Sequence, residues 1–252
     1  MSLRIYLTGR LCVEAGSTIV DEPRLPARQG RRAFVFLACH HSRAVSRDEL
    51  ASAIWGDELP RAWDSALSAL LSKLRAVLKP AGRDEIDIST GSGSHQLELG
   101  HDAWIDIEAA RSAIDEAEGL LRHGQHYAAW GPANVAVAIA RRSFLATEEG
   151  AWIETQRRNL QEVLMRGIDC VAEMSIVRGE ATLAVQLASE AVSLEPYREA
   201  GYRWLMRAHG AAGNRSEALR VFDRCRRFLA DELGVDPSEQ TQAVYLELLG
   251  SG

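Results

Sequence analysis

The segment from residue 46 to residue 80 constrains the fold most, because it predicts two helices joined by a short loop. Its first residue is a serine, a favourable helix N-cap, and Glu49 three residues later completes the pattern of a capping box. Gly56 is typical of the residue just past a helix end. Pro60 prevents a helix from continuing behind it, so a second helix is predicted to start just after this proline.

The second predicted helix, which starts near residues 61–64, has two different faces. Leucines recur along one side at the helical period, which is the pattern of a buried stripe. These leucines are Leu67, Leu71, Leu74 and Leu78. The opposite side carries only hydroxyls and cations: Arg61, Ser65, Ser68, Ser72, Arg75 and Lys79. Such a face suits a helix in the DNA major groove, where these groups reach base edges and phosphates. A solvated amphipathic helix is the alternative, and the helix alone leaves both open.

The flanking segments predict the rest of a small domain. Residues 3–20 alternate apolar and polar side chains around two glycines, as short antiparallel strands with tight turns do. Residues 28–41 predict a helix that packs on those strands. Residues 86–89 and 95–99 alternate on either side of Gly91-Ser92-Gly93, which indicates a β-hairpin with a small tip.

Three arginines stand at the start of the helix predicted over residues 28–41. They are Arg28, Arg31 and Arg32, and the helix dipole does not favour cations at this end. A phosphate contact and a solvated surface both explain their placement, and the sequence leaves both open.

The order of strands, three helices and a hairpin describes a winged helix, in which the third helix reads DNA. Two strings carry a more specific resemblance: SRDEL followed by WG, and SKLR. Over roughly residues 3–99, the chain resembles the OmpR-type winged-helix domain. More closely, it is similar to that domain as it occurs in the Streptomyces antibiotic regulatory protein (SARP) family of transcriptional activators.

Residues 101–252 show no strand-like alternation. Three helices are predicted in their first part, over residues 104–124, 135–145 and 152–166. The remainder contains an internal repeat with an offset of 34 residues, which aligns Gly179 with Gly213 and Ala184 with Ala218. This period, with alanine at the position of close approach, is the signature of tetratricopeptide helix pairs.

A second resemblance lies in residues 196–238, which contain the strings EAL and LADELGVDP. This segment resembles the bacterial transcriptional activation domain that follows the winged helix in SARP proteins. The predicted fold is therefore mainly α. It comprises an N-terminal winged helix-turn-helix (α+β) domain at residues 1–100 and an all-α tetratricopeptide-like helical domain at residues 101–252.

Charge is divided unevenly along the chain, whose net charge is −6. Residues 1–100 carry 13 basic and 12 acidic side chains, whereas residues 101–252 carry 16 and 23. This division fits a DNA-contacting module joined to an acidic module with another task. Because the first module is nearly neutral, its DNA affinity would depend on a few well-placed cations.

Several classes of function have no support in the sequence. No apolar run is long enough for a membrane span, and the start lacks a signal peptide, so a cytoplasmic location without membrane contact is expected. The four cysteines are widely spaced without a CxxC pair, so we expect buried thiols in a reducing compartment. Adjacent residues on a helix cannot chelate together, which argues against a metal at Cys39-His40-His41. With no P-loop and no nucleophile–base pair, we expect no enzyme, metal or cofactor.

The resemblance to SARP proteins implies a sequence-specific activator that binds direct repeats in double-stranded DNA near a promoter and recruits RNA polymerase holoenzyme. Direct repeats need head-to-tail contacts, so self-association on DNA is expected. Side chains expected near base edges and phosphates are Ser65, Ser68, Ser72, Lys73 and Arg75. Phosphate contacts at the helix ends are expected from Arg61 and Lys79. The hairpin tip, Gly91, Ser92, Gly93 and Ser94, would touch the DNA backbone or minor groove.

The alternative is an interaction or ligand-sensing scaffold, in which the tetratricopeptide stack does the work and DNA binding is weak or non-specific. The two interpretations differ in the polar face of the third helix. A DNA reader keeps its cations exposed on one side, whereas a scaffold would bury that face.

Overall fold

The computed structural model describes residues 3–82 and 84–250, so the outermost limits of the predicted domains, residues 1 and 252, lie outside it. The chain forms two compact units. The first comprises the residues up to 109 together with residues 142–160, and the second comprises residues 110–141 and the residues from 161 onward. The predicted boundary between residues 100 and 101 stays a prediction.

The first unit contains two sheets, three whole α-helices and the starts of two longer ones. Its strands are β1 (Leu3–Tyr6), β2 (Cys12–Ala15), β3 (Thr18–Asp21), β4 (Val45–Ser46), β5 (Ile86–Gly91), β6 (Ser94–Leu99) and β7 (Trp104–Ile105). Its helices are α1 (Ala27–Cys39), α2 (Arg47–Trp55) and α3 (Trp63–Leu78). One sheet has the order β3-β2-β1-β7 and the other has the order β4-β6-β5. The predicted strands, three helices and hairpin of a winged helix are confirmed.

The strand β7 was not predicted, because residues 104–124 read as one helix. Trp104 and Ile105 instead pair in parallel with Arg4 and Ile5 of β1, and the helix starts only afterwards, at Asp106. Ile105 is buried in the core of the first unit, and an aromatic followed by a β-branched residue suits a strand. The expectation of no strand beyond residue 100 was therefore wrong for these two residues.

Asp106 follows β7, and its carboxylate binds the residues that follow β1. The carboxylate is fully buried and accepts four hydrogen bonds. The donors are the Leu7 amide (2.9 Å), the Thr8 amide (2.9 Å), the Thr8 hydroxyl (2.8 Å) and the Ile107 amide (2.8 Å). Because four donors compensate the buried charge, this residue fixes the segment after β1 to the start of the following helix.

The arginines at the start of α1 converge on one buried carboxylate, and of the three only Arg28 is solvent-exposed. All three approach Glu148, whose side chain is only 3% exposed. Arg28 Nε lies 2.6 Å from this carboxylate, an Arg31 nitrogen lies at 3.4 Å, and Arg32 Nη1 at 3.9 Å. Arg32 is itself buried and donates from Nε to the Ala53 carbonyl oxygen at 3.1 Å. The cluster therefore tolerates an unfavourable helix dipole because a buried anion lies within reach.

Replacing Glu148 with glutamine should lower the free energy of unfolding by about 2 kcal/mol, because the buried Arg32 loses its counter-charge. The pKa of Arg32 is already lowered by burial, so an uncompensated guanidinium there is unfavourable. Urea denaturation of the variant measures this effect. The matched control is Glu149→Gln at the exposed neighbouring carboxylate, and equal losses in the two variants would contradict the assignment.

The second unit contains helices joined by short turns, and its described residues form no strand. The helices that follow β7 are α4 (Asp106–Arg122), α5 (His126–Ala140), α6 (Ala151–Val177), α7 (Ala181–Leu194), α8 (Glu199–Ala211), α9 (Arg215–Leu233) and α10 (Glu239–Gly250). The predicted repeat is confirmed, because Gly179 and Gly213 both have positive φ, +77° and +75°, and each lies two residues before the first residue of its helix, α7 or α9. Ala184 and Ala218 are both fully buried in those helices.

Two helices of this part differ from their predicted limits. The α5 helix lies over residues 126–140 rather than 135–145, because alanines at a helical spacing extend its buried side towards the N-terminus. The α6 helix, predicted over residues 152–166, continues to Val177. Gly167 within it allows the close approach of α5, since a Cβ there would lie 2.6 Å from Val137 Cγ2. The prediction therefore ended this helix 11 residues too early.

Three of the four cysteines are buried as predicted, and Cys39 is half-buried. Burial raises the pKa of Cys170 to about 12 and that of Cys225 to about 11, which disfavours their thiolates at neutral pH. Among residues 3–82 and 84–250, no helix combines the length and apolar composition needed to cross a membrane.

Candidate nucleic-acid interface

The local sequence positions α3 as predicted. Ser46 caps α2, since its hydroxyl accepts a hydrogen bond from the Glu49 amide at 3.1 Å. Gly56, with φ +69°, ends that helix. The four leucines of the predicted stripe are all buried in the core of the first unit. Because this side is fixed inward, the opposite side of α3 faces solvent.

The structure places nearly all of the predicted helix side chains on this exposed side. Ser65, Ser68, Ser72, Lys73 and Lys79 are exposed, and Arg75 is half-buried. Arg61 is exposed but precedes the helix, because α3 begins only at Trp63. An exposed polar face is the arrangement expected of a DNA reader rather than of a scaffold that buries it.

Three exposed cations lie on α3 or beside its ends. Arg61, Lys73 and Lys79 have no ion-pair or hydrogen-bond partner within the part of the chain that the structure describes. Lys73 and Lys79 are also the two lysines of the whole sequence. Unpaired cations on an exposed helix face are available to phosphate oxygens.

Other predicted contacts are already engaged within the protein. The Ser65 hydroxyl donates to the Ala62 carbonyl oxygen at 3.0 Å, and the Ser68 hydroxyl donates to the Asp64 carbonyl oxygen at 3.0 Å. Such back-bonding leaves each hydroxyl only as an acceptor. Of the three helix serines, Ser72 keeps its hydroxyl without a partner in the described residues.

Arg75 is directed towards the hairpin rather than straight into solvent. Its Nε donates to the Ile88 carbonyl oxygen at 2.8 Å, and its Nη2 donates to the Thr90 hydroxyl at 2.7 Å. Arginine has five N–H donors, so the remaining ones can still serve a ligand. The prediction that Arg75 reaches DNA stays a prediction, and the structure adds that it joins α3 to β5.

The hairpin tip forms as predicted. Gly91 pairs with Ser94, and Ser92 and Gly93 make the two-residue connection between β5 and β6. Gly93 has φ +78°, a conformation that glycine adopts without strain. The Gly93 carbonyl oxygen accepts a hydrogen bond from the Arg47 amide at 3.2 Å, which ties the tip to the start of α2.

Sequence reasoning missed two residues that organise this surface, Arg47 and His95. The Arg47 guanidinium contacts Asp64 and Ser68 of α3, and it also contacts the His95 ring. His95 is buried in β6 and its other ring nitrogen lies 3.2 Å from the Thr90 hydroxyl. A signal was present, since His95 occupies the inward position of β6 two residues before the buried Leu97, where an apolar side chain is expected.

Burial is the largest cause that lowers the pKa of His95 below 6.5, and the positive charges of Arg47 and Arg75 lower it further. The ring is therefore neutral at pH 7, when it can accept one hydrogen bond and donate another.

The two histidines of the Cys39-His40-His41 string contact different groups. His40 Nδ1 lies 2.8 Å from the Phe36 carbonyl oxygen, and His41 Nε2 lies 2.8 Å from Glu108.

Two protein families match the chain. The family described as bacterial transcriptional activator domain matches residues 105–249. The family described as transcriptional regulatory protein, C terminal, matches residues 26–94. Each match lies within one of the two predicted domains.

Two named relatives and one solved structure are similar to this chain over most of its length. Regulatory protein AfsR of Streptomyces coelicolor is 29% identical over 221 residues, which cover 88% of this chain and 22% of AfsR. Regulatory protein DnrI of Streptomyces peucetius is 24% identical over 262 residues, which cover 98% of this chain and 92% of DnrI. The structure of Mycobacterium tuberculosis EmbR in complex with a low-affinity phosphopeptide has a TM-score of 0.86 at 22% identity, covering 98% of this chain and 65% of EmbR.

These likenesses differ in what they establish. At 22% identity the EmbR structure shows the fold alone. The chain spans under a quarter of the length of the AfsR proteins from Streptomyces coelicolor and Streptomyces griseus, 22% and 24%.

Proposed function

We propose that this chain, which belongs to the Streptomyces antibiotic regulatory protein (SARP) family of transcriptional regulators, binds specific double-stranded DNA and activates transcription from it. In this proposal α3 enters the major groove and the hairpin tip, residues 91–94, lies against the adjacent backbone or minor groove. The α-helical second unit contacts RNA polymerase holoenzyme or a neighbouring copy of the chain. The proposed place of action is the bacterial cytoplasm, and the proposed activity includes no catalytic step.

The observation that carries this proposal is the exposed face of α3. The cations on this face and beside it, Arg61, Lys73 and Lys79, have no internal partner within the described residues, whereas most arginines elsewhere in the first unit are paired with carboxylates or carbonyl oxygens. A scaffold has no need to keep unpaired cations on the helix that stands beside a winged-helix hairpin. DNA supplies their missing counter-charges through its phosphates.

The small number of free cations also predicts how this protein binds. Each phosphate contact contributes a salt-dependence slope of about 0.9, so three such cations give one copy a modest affinity. We propose that two or more copies bind direct repeats head to tail, because paired copies double the number of phosphate contacts. Self-association would then occur on DNA.

Selection from random duplex DNA tests the proposal. We expect enrichment of a direct-repeat motif, with an affinity for the selected duplex that falls steeply as salt is raised. If no sequence is enriched and binding stays weak, the DNA-reading proposal is wrong and the scaffold interpretation replaces it.

Chemical modification of lysine locates the interface directly, because Lys73 and Lys79 are the two lysines of the chain. Both side chains are exposed, so both should react readily with an amine-acylating reagent in the free protein. The selected duplex should slow acylation of both residues at least about fivefold, since their amines would be held against phosphates. Mass spectrometry of the peptides gives each rate. The control is the same duplex at a salt concentration that prevents binding, and unaltered rates in the bound complex would place α3 away from the DNA.

A further inference from the structure

We propose that Arg47 and His95 are positioning residues that hold the hairpin and α3 in one fixed arrangement for sequence-selective DNA binding. Neither residue belongs to the exposed face of α3. This inference rests on the proposed function, because it concerns how the same surface discriminates between sequences.

Arg47 connects three elements through its guanidinium. Nε donates to Asp64 Oδ1 at 2.8 Å, and Nη2 donates to the Asp64 carbonyl oxygen at 2.9 Å and to the Ser68 hydroxyl at 3.0 Å. Nη1 lies 3.1 Å from His95 Nε2. Arg47 is therefore the first residue of α2, and its side chain contacts both the first turns of α3 and the second strand of the hairpin.

His95 continues the connection on its other side. Its Nδ1 lies 3.2 Å from the Thr90 hydroxyl, which also accepts the hydrogen bond from Arg75 Nη2 at 2.7 Å. The chain of contacts therefore leaves α3 at Ser68, passes through Arg47, His95 and Thr90, and returns to α3 at Arg75. A closed loop of this kind restrains rotation of α3 against the hairpin more than any single contact does.

The network also determines which polar groups of α3 remain available to DNA. It engages Ser68 and part of Arg75, and it pairs the carboxylate of Asp64 with Arg47 at 2.6 Å. An unpaired carboxylate at this end of α3 would repel phosphates. Arg47 thus neutralises an acid beside the interface and holds Ser68, one of the predicted contact residues, without itself being exposed beyond 24% of its side chain.

A lysine cannot replace this arginine. The guanidinium is a planar fork with five donors, and here it donates in three directions at once, towards Asp64, Ser68 and His95. An ammonium carries its three donors on one nitrogen at the end of a flexible stem, so it does not reproduce the contacts that three separate nitrogens make here. The substitution Arg47→Lys therefore keeps the charge and removes the restraint.

Protonation of His95 should break this closed series of side-chain contacts. The charged groups that face the ring are Arg47 from α2 and Arg75 from α3, and both are positive. The strand β5 contributes the uncharged Thr90 hydroxyl and the Ser89 backbone, and β4 contributes Val45, which pairs with His95 across the sheet. The folded protein lowers the pKa of His95, so the contribution of the neutral ring is complete above pH 6.5 and is lost as the pH falls below that value.

The test compares Arg47→Lys and His95→Gln with the unaltered protein on the selected duplex and on a scrambled duplex. At pH 7.5, Arg47→Lys should lower the ratio of specific to non-specific affinity at least about tenfold, while the salt slope stays unchanged. Retained selectivity in Arg47→Lys, together with a salt slope reduced by about one in Arg47→Gln, would make Arg47 a phosphate contact and overturn the proposal.

A pH series separates positioning by His95 from a general effect on folding. The selectivity of the unaltered protein should be constant from pH 8 to pH 7 and fall below pH 6.5, whereas that of His95→Gln should be lower and independent of pH. The matched control, His41→Gln, changes a histidine of the same unit outside the network and should keep the original profile. An equal pH dependence in His95→Gln and the unaltered protein would contradict the role of His95.

Hydrogen exchange of the free protein tests the network without DNA. Backbone amides of β5 and β6 should exchange faster in Arg47→Lys and His95→Gln than in His41→Gln, because the hairpin loses part of its attachment to α3. Unchanged exchange in both variants would show that the network restrains nothing. If the unaltered protein selects no DNA sequence, the proposed function fails, and faster exchange would then reduce this network to a role in folding.

Discussion

Replacing Asp106 with alanine is expected to lower the free energy of unfolding of the first unit by about 3–5 kcal/mol. The substitution leaves the donors on Leu7, Thr8 and Ile107 without their shared acceptor in a site that excludes water. It also releases β7 from its place beside β1, since the carboxylate joins the segment after β1 to the residue that follows β7. The effect exceeds that of an ordinary hydrogen bond because four donors depend on one carboxylate.

Tryptophan fluorescence during urea unfolding measures this loss. Four of the six tryptophans lie in the first unit: Trp55, Trp63, Trp104 and Trp152. The control is Asp102→Ala, which removes an exposed carboxylate four residues earlier and should change stability by less than about 0.5 kcal/mol. A midpoint for Asp106→Ala equal to that of the control would show that the buried carboxylate does not hold the sheet.

Replacing Lys73 and Lys79 together with glutamine is expected to weaken binding to the selected duplex by roughly 60-fold at 0.1 M salt. The figure follows from the loss of two phosphate contacts, each with a slope of about 0.9 against the logarithm of salt concentration. The slope itself should fall by about 1.8, and the free energy of unfolding should not change, because both side chains are exposed and unpaired within the described residues.

The matched control removes two exposed cations elsewhere. Arg4→Gln with Arg122→Gln changes the net charge by the same amount, and both side chains are exposed. If the affinity depends on overall charge, both double variants will weaken binding equally. If it depends on the face of α3, the control will bind nearly as well as the unaltered protein. Equal losses in the two double variants would remove α3 as the binding surface.

These predictions also separate two kinds of residue in a winged helix. Lys73 and Lys79 supply charge to the ligand, so their removal should affect all DNA sequences and change the salt slope. Arg47 supplies no charge to the ligand, so its replacement by lysine should affect selectivity and leave the slope unchanged. The same binding curves, measured at several salt concentrations, distinguish the two roles.

Local sequence patterns predicted most of the elements that build the interface. The capping serine and the glycine after α2, the leucine period of α3 and the Gly91-Ser92-Gly93 tip each depend on residues close together in the chain. The helical repeat was predictable because the same short pattern recurs, with Gly179 and Gly213 at the ends of equivalent turns. Such features follow from backbone preferences and the burial of apolar faces, and both operate over a few residues.

The sequence by itself therefore determined the three helices of the winged helix, the hairpin, the repeat and the side of α3 that faces solvent. Only the tertiary structure decided the partners of the polar side chains. Arg28 and Arg32 face a glutamate more than a hundred residues away, Trp104 joins a strand at the N-terminus, and Arg75 turns to the hairpin. The physical reason is that a long charged side chain bonds whichever opposite charge or carbonyl oxygen the folded chain brings within about 3 Å, and no local period encodes that approach.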